Sequence, residues 1–254
     1  MLGVEIPTRG RPEWLLATLC QLYAQLADWD GLVVVASQPS DLDERCLAVL
    51  RRLGQSASKE VVLRVVGAEA ALPEKHQAAL ETLKEADHIM ILHDDLLLPE
   101  FFFADLETWL AADLELGAVA GVYPLAMYPA VELPADYLDN PVFNGRIEEA
   151  VNWHQVYLYP DGGLRNDVQH LFGPFMYKRE ALEKIGGFPV GQYSRVSHRE
   201  ETIVTYKLYQ AGWKLGVAKR VIAPHFMYPK GGAADGRAQM MAQDEQVFRN
   251  EVNG

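Results

Sequence analysis

Apolar positions in the first half of the chain alternate between two periods. Residues 2–6 form a short apolar run that predicts a strand, and Pro12 then opens a stretch where Leu15, Leu16, Leu19, Leu22, Tyr23 and Leu26 recur at helical spacing. Leu32 to Ala36 is a continuous, largely β-branched run and predicts a buried strand. Leu42 to Leu53 reads as a helix, Val61 to Val66 as another buried strand, Glu74 to Ala86 as a helix, and His88 to Leu92 as a fourth strand. Connections this short between successive strands leave room only for helical crossovers, and crossovers produce a parallel sheet covered on both faces. Ligands of such sheets bind beyond the carboxyl ends of the strands. That rule gathers Thr8, Arg9, Ser37, Gly67 and His93-Asp94-Asp95 around one crevice. No Gly-x-Gly-x-x-Gly or phosphate-loop lysine motif occurs there, which argues against a dinucleotide or triphosphate-hydrolysing site.

Beyond residue 123 the pattern turns irregular, with Pro124, Pro129, Pro134, Pro141 and Pro160 interrupting aromatic residues up to a strand-like run from Leu171 to Tyr177. Long aromatic-bearing connections in a compact domain are more often functional than slack, so this region is assigned to the binding of a second substrate, with Trp153 as a stacking candidate. Trp213, after Gly212 at a helix exit, reads as core packing. The tail from Gly236 to Glu251 is predicted to be a surface helix or a lid.

Composition narrows the class. Hydrophobic and charged fractions of 49% and 23% are ordinary for a globular chain of 254 residues, and no stretch approaches the ~20 apolar residues of a membrane span. Met1 to Ile6 lacks a basic segment followed by an apolar one, so the expectation is a soluble cytoplasmic protein with no transmembrane segment. Cys20 and Cys46 both sit in helical patterns and read as small buried hydrophobes, with no disulfide framework. Acidic residues outnumber basic ones 35 to 23, a net charge of -12 that repels polyanions. Duplex nucleic acid is thereby disfavoured, although Lys178, Arg179, Arg195 and Arg199 are candidates for a local basic groove.

Three places carry candidate chemistry. Asp94-Asp95 ends the apolar strand Ile89 to Leu92, and two carboxylates at the ligand end of a buried strand need a partner. A divalent cation, Mg²⁺ or Mn²⁺, takes carboxylate and phosphate oxygens together; the bland alternative is an Asp capping a helix from Pro99. Ser197-His198-Arg199-Glu200 fits a capping box, which gives Glu200 a structural task and leaves Glu201, in the same first turn, as a general-base candidate. His225 follows the strand-like run Arg220 to Ile222 and stands where it can complete a cation site with an Asp; the other histidines show no metal-ligand spacing.

In order, these segments resemble the inverting glycosyltransferase family 2, with its GT-A fold. Ile6-Pro7-Thr8-Arg9-Gly10-Arg11-Pro12 is similar to that family's opening strand and helix, and His93-Asp94-Asp95 to its aspartate-rich metal motif. Gly173 to Leu182 with Ile185 to Phe188 is similar to the segment leading to its acceptor site, and Glu200-Glu201 through Trp213 to its acidic pair and catalytic helix. The resemblance implies one α/β domain over 1–254: a mostly parallel nucleotide-binding sheet flanked by helices on both faces, with a smaller mixed acceptor-side region. In this division 1–123 binds a nucleoside-diphosphate sugar, 124–235 faces the acceptor and 236–254 is a C-terminal helix or lid. It further implies that Pro7, Thr8, Arg9, Ser37, Lys75, Asp94 and Asp95 line the donor, that Asp95 and His225 bind Mn²⁺ or Mg²⁺, and that Glu201 is the base. Trp153, Arg199 and Glu200 fall on the acceptor side, whether the acceptor is a glycan, a small molecule or, less expected, nucleic acid. Ala36-Ser37-Gln38, His93 and Lys75-His76 depart from the family's pattern, which leaves the nucleotide open. A DNA-modifying sugar transferase, a nucleotidyltransferase and a non-catalytic nucleotide-sugar binder are the rival readings.

Overall fold

In the computed structural model the described residues are 1–57, 59–123, 164–166, 168–226 and 236–253. Trp153, and with it the irregular stretch over 124–163, lies outside them. Each strand and helix expected in the first half forms: β1 (Leu2–Thr8), α1 (Pro12–Ala24), β2 (Gly31–Ala36), α2 (Glu44–Ala57), β3 (Glu60–Val65), α3 (Leu72–Thr82) and β4 (His88–Ile91). Next come α4 (Phe102–Ala112), β5 (Leu116–Val122), β6 (Leu164–Arg165), β7 (Phe175–Lys178), α5 (Arg179–Lys184), α6 (Glu200–Gln210), β8 (Lys214–Ile222) and α7 (Arg237–Asn253).

The strands form one eight-stranded sheet in the order β3-β2-β1-β4-β7-β5-β8-β6. Strands β1 to β4 are mutually parallel, β5 and β8 are parallel, and β7 lies between the two groups, antiparallel to both β4 and β5. Strands β1 and β2 are buried along their whole length, as apolar runs sandwiched between helical layers must be. Because β7 runs backwards, its first residues lie at the same edge of the sheet as the last residues of β1 and β4. Continuing the register Met90↔Met176 brings Gly173 level with His93.

Several expectations change. β3 is the edge strand, and Leu63 and Val65 are 39% and 48% exposed, because a terminal strand has a neighbour on one side only. Cys20 is exposed on α1, while Cys46 is buried. β5 was hidden in the sequence by Gly117 and Gly121, which lower strand propensity. Both are needed: a Cβ at Gly117 would lie 2.8 Å from Trp213, and one at Gly121 would lie 2.6 Å from the Val221 carbonyl. The C-terminal segment is a helix whose Asp244 and Phe248 are buried against the body. Among the described residues no helix is long and apolar enough to cross a membrane.

Candidate active site

Asp94 and Asp95 follow β4, where the chain leaves the sheet, and neither caps a helix, since α4 begins only at Phe102. Their first partner is a side chain. Arg11, the residue before the Pro12 that opens α1, forks between them, with Nη1 donating to Asp95 Oδ2 at 2.6 Å and Nη2 to Asp94 Oδ1. Asp94 is fully buried, and its other oxygen accepts the Thr8 hydroxyl at 2.7 Å. Burial pushes the Asp94 carboxyl up to about 6, with Arg11 opposing and the Asp95 charge adding to the rise. Asp95 behaves oppositely. Burial works against its charge, but the hydrogen bond and charge of His225, then Arg11, hold it down to about 2.

His225 reaches Asp95 because two loops zip together. Leu97 N donates to the Pro224 carbonyl at 2.9 Å and Phe226 N to the Asp95 carbonyl at 2.9 Å, around a bridge between Leu96 and His225. This sets His225 Nε2 at 2.9 Å from Asp95 Oδ1. His93 joins them: ligand atoms of His93, Asp95 and His225 all lie within 4.8 Å of one another. Burial and the nearby His225 bring the His93 imidazolium down to about 3, which favours the neutral ring, and its Nδ1 lies 3.5 Å from His225 Nε2. Two imidazoles and one ionised carboxylate are a donor set that suits a divalent transition cation. The expected pair Asp95 and His225 is thus brought together, and His93, set aside for want of ligand spacing in the sequence, belongs with it.

The cluster opens into a cavity lined by Pro7, Thr8, Arg9, Arg11, Lys75, Asp95 and His225 together with Arg195, Val196 and Arg237. Five cationic side chains converge here in a chain of net charge -12. Arg9 donates to the Ala68 carbonyl at 2.5 Å, and Lys75 to the Thr8 carbonyl at 2.7 Å. Burial, the largest influence, brings the Lys75 ammonium down to about 8. The basic groove anticipated from Lys178, Arg179, Arg195 and Arg199 does not form. Lys178 and Arg179 bond backbone carbonyls at the opposite edge of the sheet, and Arg199 packs its guanidinium over Phe248 of α7, with Nε 3.2 Å from Glu245.

Ser37 is buried and does not line the cavity; its amide donates to Asp41 at 2.8 Å. Asp41, overlooked in the sequence, also accepts from Gly10 N at 2.9 Å and so joins the ends of β1 and β2. Arg11 and Arg237 were overlooked as well. The signal for Arg11 was its place between the first strand and Pro12, opposite two carboxylates short of a counter-charge; Arg237 is one more arginine until α7 docks.

The capping box at Ser197 does not form. Arg199 occupies the N-cap in the left-handed region (φ 78°), and the Ser197 hydroxyl instead accepts Leu72 N at 2.8 Å and donates to the Ser194 carbonyl at 3.0 Å. Glu200, released from that task, turns into the core, 1% exposed. Glu201 is half-buried and lies against Gly173, where a Cβ would come 2.9 Å from its Cγ and 3.1 Å from its Oε1. Glu201 does not line the cavity among the described residues; it packs against Gly173, two residues before β7 begins.

No protein-family model and no curated protein matches the sequence. Solved structures do match in shape. The mannosyltransferase PcManGT from Pyrobaculum calidifontis, in complex with GDP-Man and Mn²⁺, superposes with a TM-score of 0.60 at 19% identity, over 100% of this chain and 64% of its own. GalNAc-T7 with UDP, GalNAc and Mn²⁺ superposes with a TM-score of 0.68 at 16% identity, over 98% of this chain and 47% of its own. The chain therefore spans less than two thirds of either protein. At these identities the likeness is one of architecture, and it shows that the chain has the α/β fold of GT-A glycosyltransferases, a mostly parallel sheet flanked by helices.

Proposed function

We propose that the chain is a metal-dependent glycosyltransferase of the family 2 type, moving a sugar with inversion from a nucleoside-diphosphate sugar to an acceptor hydroxyl. The observation that carries this reading is the cluster of His93, Asp95 and His225 at the floor of a cavity ringed by Arg9, Arg11, Lys75, Arg195 and Arg237. A diphosphate needs such surroundings: a divalent cation on one side and fixed cationic donors on the other. Two proteins of the same architecture were solved with Mn²⁺ and a nucleotide or nucleotide sugar, which supports this choice among ligands.

His93, Asp95 and His225 hold the cation, which when bound supplies Lewis-acid charge to the departing diphosphate. Arg9, Lys75, Arg195 and Arg237 orient the phosphates. Arg11 keeps Asp94 and Asp95 paired and fixed in position, and Thr8 holds Asp94 from the other side. Glu201 takes the proton from the acceptor hydroxyl as that oxygen attacks the anomeric carbon and the bond to phosphate breaks. The nucleoside diphosphate leaves and the anomeric centre inverts.

The test is product analysis over a panel of nucleotide sugars and acceptors with Mn²⁺. Release of a nucleoside diphosphate with sugar transfer is expected; release of pyrophosphate would identify nucleotidyl transfer in its place. Glu201→Gln should retain donor binding and lose about 100-fold or more in kcat, the usual scale of general-base catalysis. Turnover close to wild type in that variant would remove Glu201 as the base.

A further inference from the structure

Arg195 and Val196 reach the cavity from the loop 194–199, which leads into α6. The backbone of this loop is strained: Ser197 and Arg199, neither of them glycine, take φ of 53° and 78°, a left-handed conformation that crowds a Cβ and persists only where neighbouring contacts hold it. The holding contacts come from α7. Asp244, fully buried, accepts Ser194 N at 2.7 Å on Oδ1, and the Ser194 hydroxyl and His198 N at 2.8 Å each on Oδ2. From the other side the Ser197 hydroxyl ties the loop to Leu72 N in α3, the helix whose Leu72 and Lys75 also line the cavity.

Arg237, the first residue of α7, lines the cavity as well. It stands seven positions before Asp244, about two helical turns, so the two side chains leave the same face of the helix. Phe248 continues that face; it is buried, with the Arg199 guanidinium 5.3 Å from its ring. One helix face therefore meets the loop through Asp244 and Phe248 and meets the cavity through Arg237. Burying a carboxylate is a poor way to gain stability, since apolar side chains of similar volume serve as well or better. What three convergent hydrogen bonds do supply is a fixed geometry, and the two residues that Asp244 grips, Ser194 and His198, bracket Arg195 and Val196.

We propose that Asp244 is a positioning residue for the arginines that bind the diphosphate: its grip on Ser194 and His198 sets Arg195, and the docking of α7 that it secures sets Arg237. The proposal deepens the glycosyl-transfer reading and rests on it for the placing of a diphosphate in this cavity. The cation ligands are held by other means, the pairing of the loops around Leu96 and His225. Asp244 thus governs the hold on the diphosphate and leaves the hold on the cation unchanged.

Titration calorimetry of the full chain, with Mn²⁺ alone and then with inorganic pyrophosphate added to the Mn²⁺-loaded protein, separates the two. Asp244→Asn keeps the shape of the side chain and should weaken pyrophosphate binding by about 10–100-fold, the usual scale for a group that holds a ligand-binding side chain in place. Its affinity for Mn²⁺ alone should stay within about threefold of the wild type, as for sites that share no partners. Equal losses for both ligands, the mark of a general structural role, overturn the proposal, and so does an unchanged pyrophosphate affinity. In an Arg195→Gln background the same substitution should cost several-fold less than in the wild type, because residues of one network are not additive; equal cost in the two backgrounds overturns the proposal. The wild type gives a readout that needs no variant: amide exchange over 194–198 and in the first two turns of α7 should slow when pyrophosphate joins Mn²⁺, and unchanged exchange overturns the proposal. A wild type that binds pyrophosphate with these responses and transfers no sugar removes the glycosyl-transfer reading and leaves the role of Asp244 standing.

Discussion

His225 Nε2 lies 2.9 Å from Asp95 Oδ1, although 130 positions separate the two residues in the chain. The contact is made by backbone pairing of the loops that carry them, so each side chain is delivered by its neighbours' hydrogen bonds. If this pair and His93 form a cation site, Mn²⁺ should raise the melting temperature of the wild type in proportion to its affinity. His225→Ala and Asp95→Asn should each weaken that affinity by about 100-fold or more, beyond the 10–100-fold typical of groups that only support a ligand. Titration calorimetry with Mn²⁺ alone measures it, and an unchanged affinity in both variants would rule the site out.

Arg11 supplies the counter-charge for both aspartates in the absence of metal. Arg11→Met removes the guanidinium that both buried carboxylates share, leaving Asp95 with His225 and Asp94 with Thr8, and should cost about 3–5 kcal/mol of stability, the usual penalty for breaking a buried ion pair from one side. Urea unfolding with and without Mn²⁺ checks this. The deficit should shrink when Mn²⁺ is present, because the cation then neutralises Asp95.

Glu201 has room beside Gly173 only because that position lacks a Cβ. Gly173→Ala should push Glu201 aside and lower kcat about 10–100-fold with donor KM little changed, as expected when a catalytic group is displaced by a fraction of its reach. Steady-state kinetics with varied donor separate the two constants.

The Lys75 ammonium titrates at about 8, lowered chiefly by burial. Below that pH the side chain is charged and attracts a diphosphate; as pH rises through 8 the charge is lost. Donor affinity should therefore fall between pH 7 and pH 9, and Lys75→Met should bind more weakly at pH 7 and lose that dependence. Fluorescence titration of the donor across this range decides it.

The first half of the fold was legible because its signals are local. A helix or a buried strand announces itself in a dozen residues, and β1 to β4 with α1 to α3 follow from apolar period and proline placement alone. So does the placement of Thr8, Arg9, Asp94 and Asp95 together at one edge of the sheet. β5 was illegible for a local reason too: its glycines weaken the strand signal, and their purpose, room for Trp213 and for the backbone of β8, exists only once those elements are packed.

The site was legible in its residue types and not in its partnerships. By itself the sequence determined that two carboxylates would end a buried strand and require compensation. Only the tertiary structure decided that Arg11 provides it, that His93 joins Asp95 and His225, and that Glu200 turns inward to His76 while Glu201 packs against Gly173. The physical reason is that hydrophobic periodicity is a property of neighbours in the chain, whereas the cost of a buried charge is settled by whatever distant group the fold places beside it.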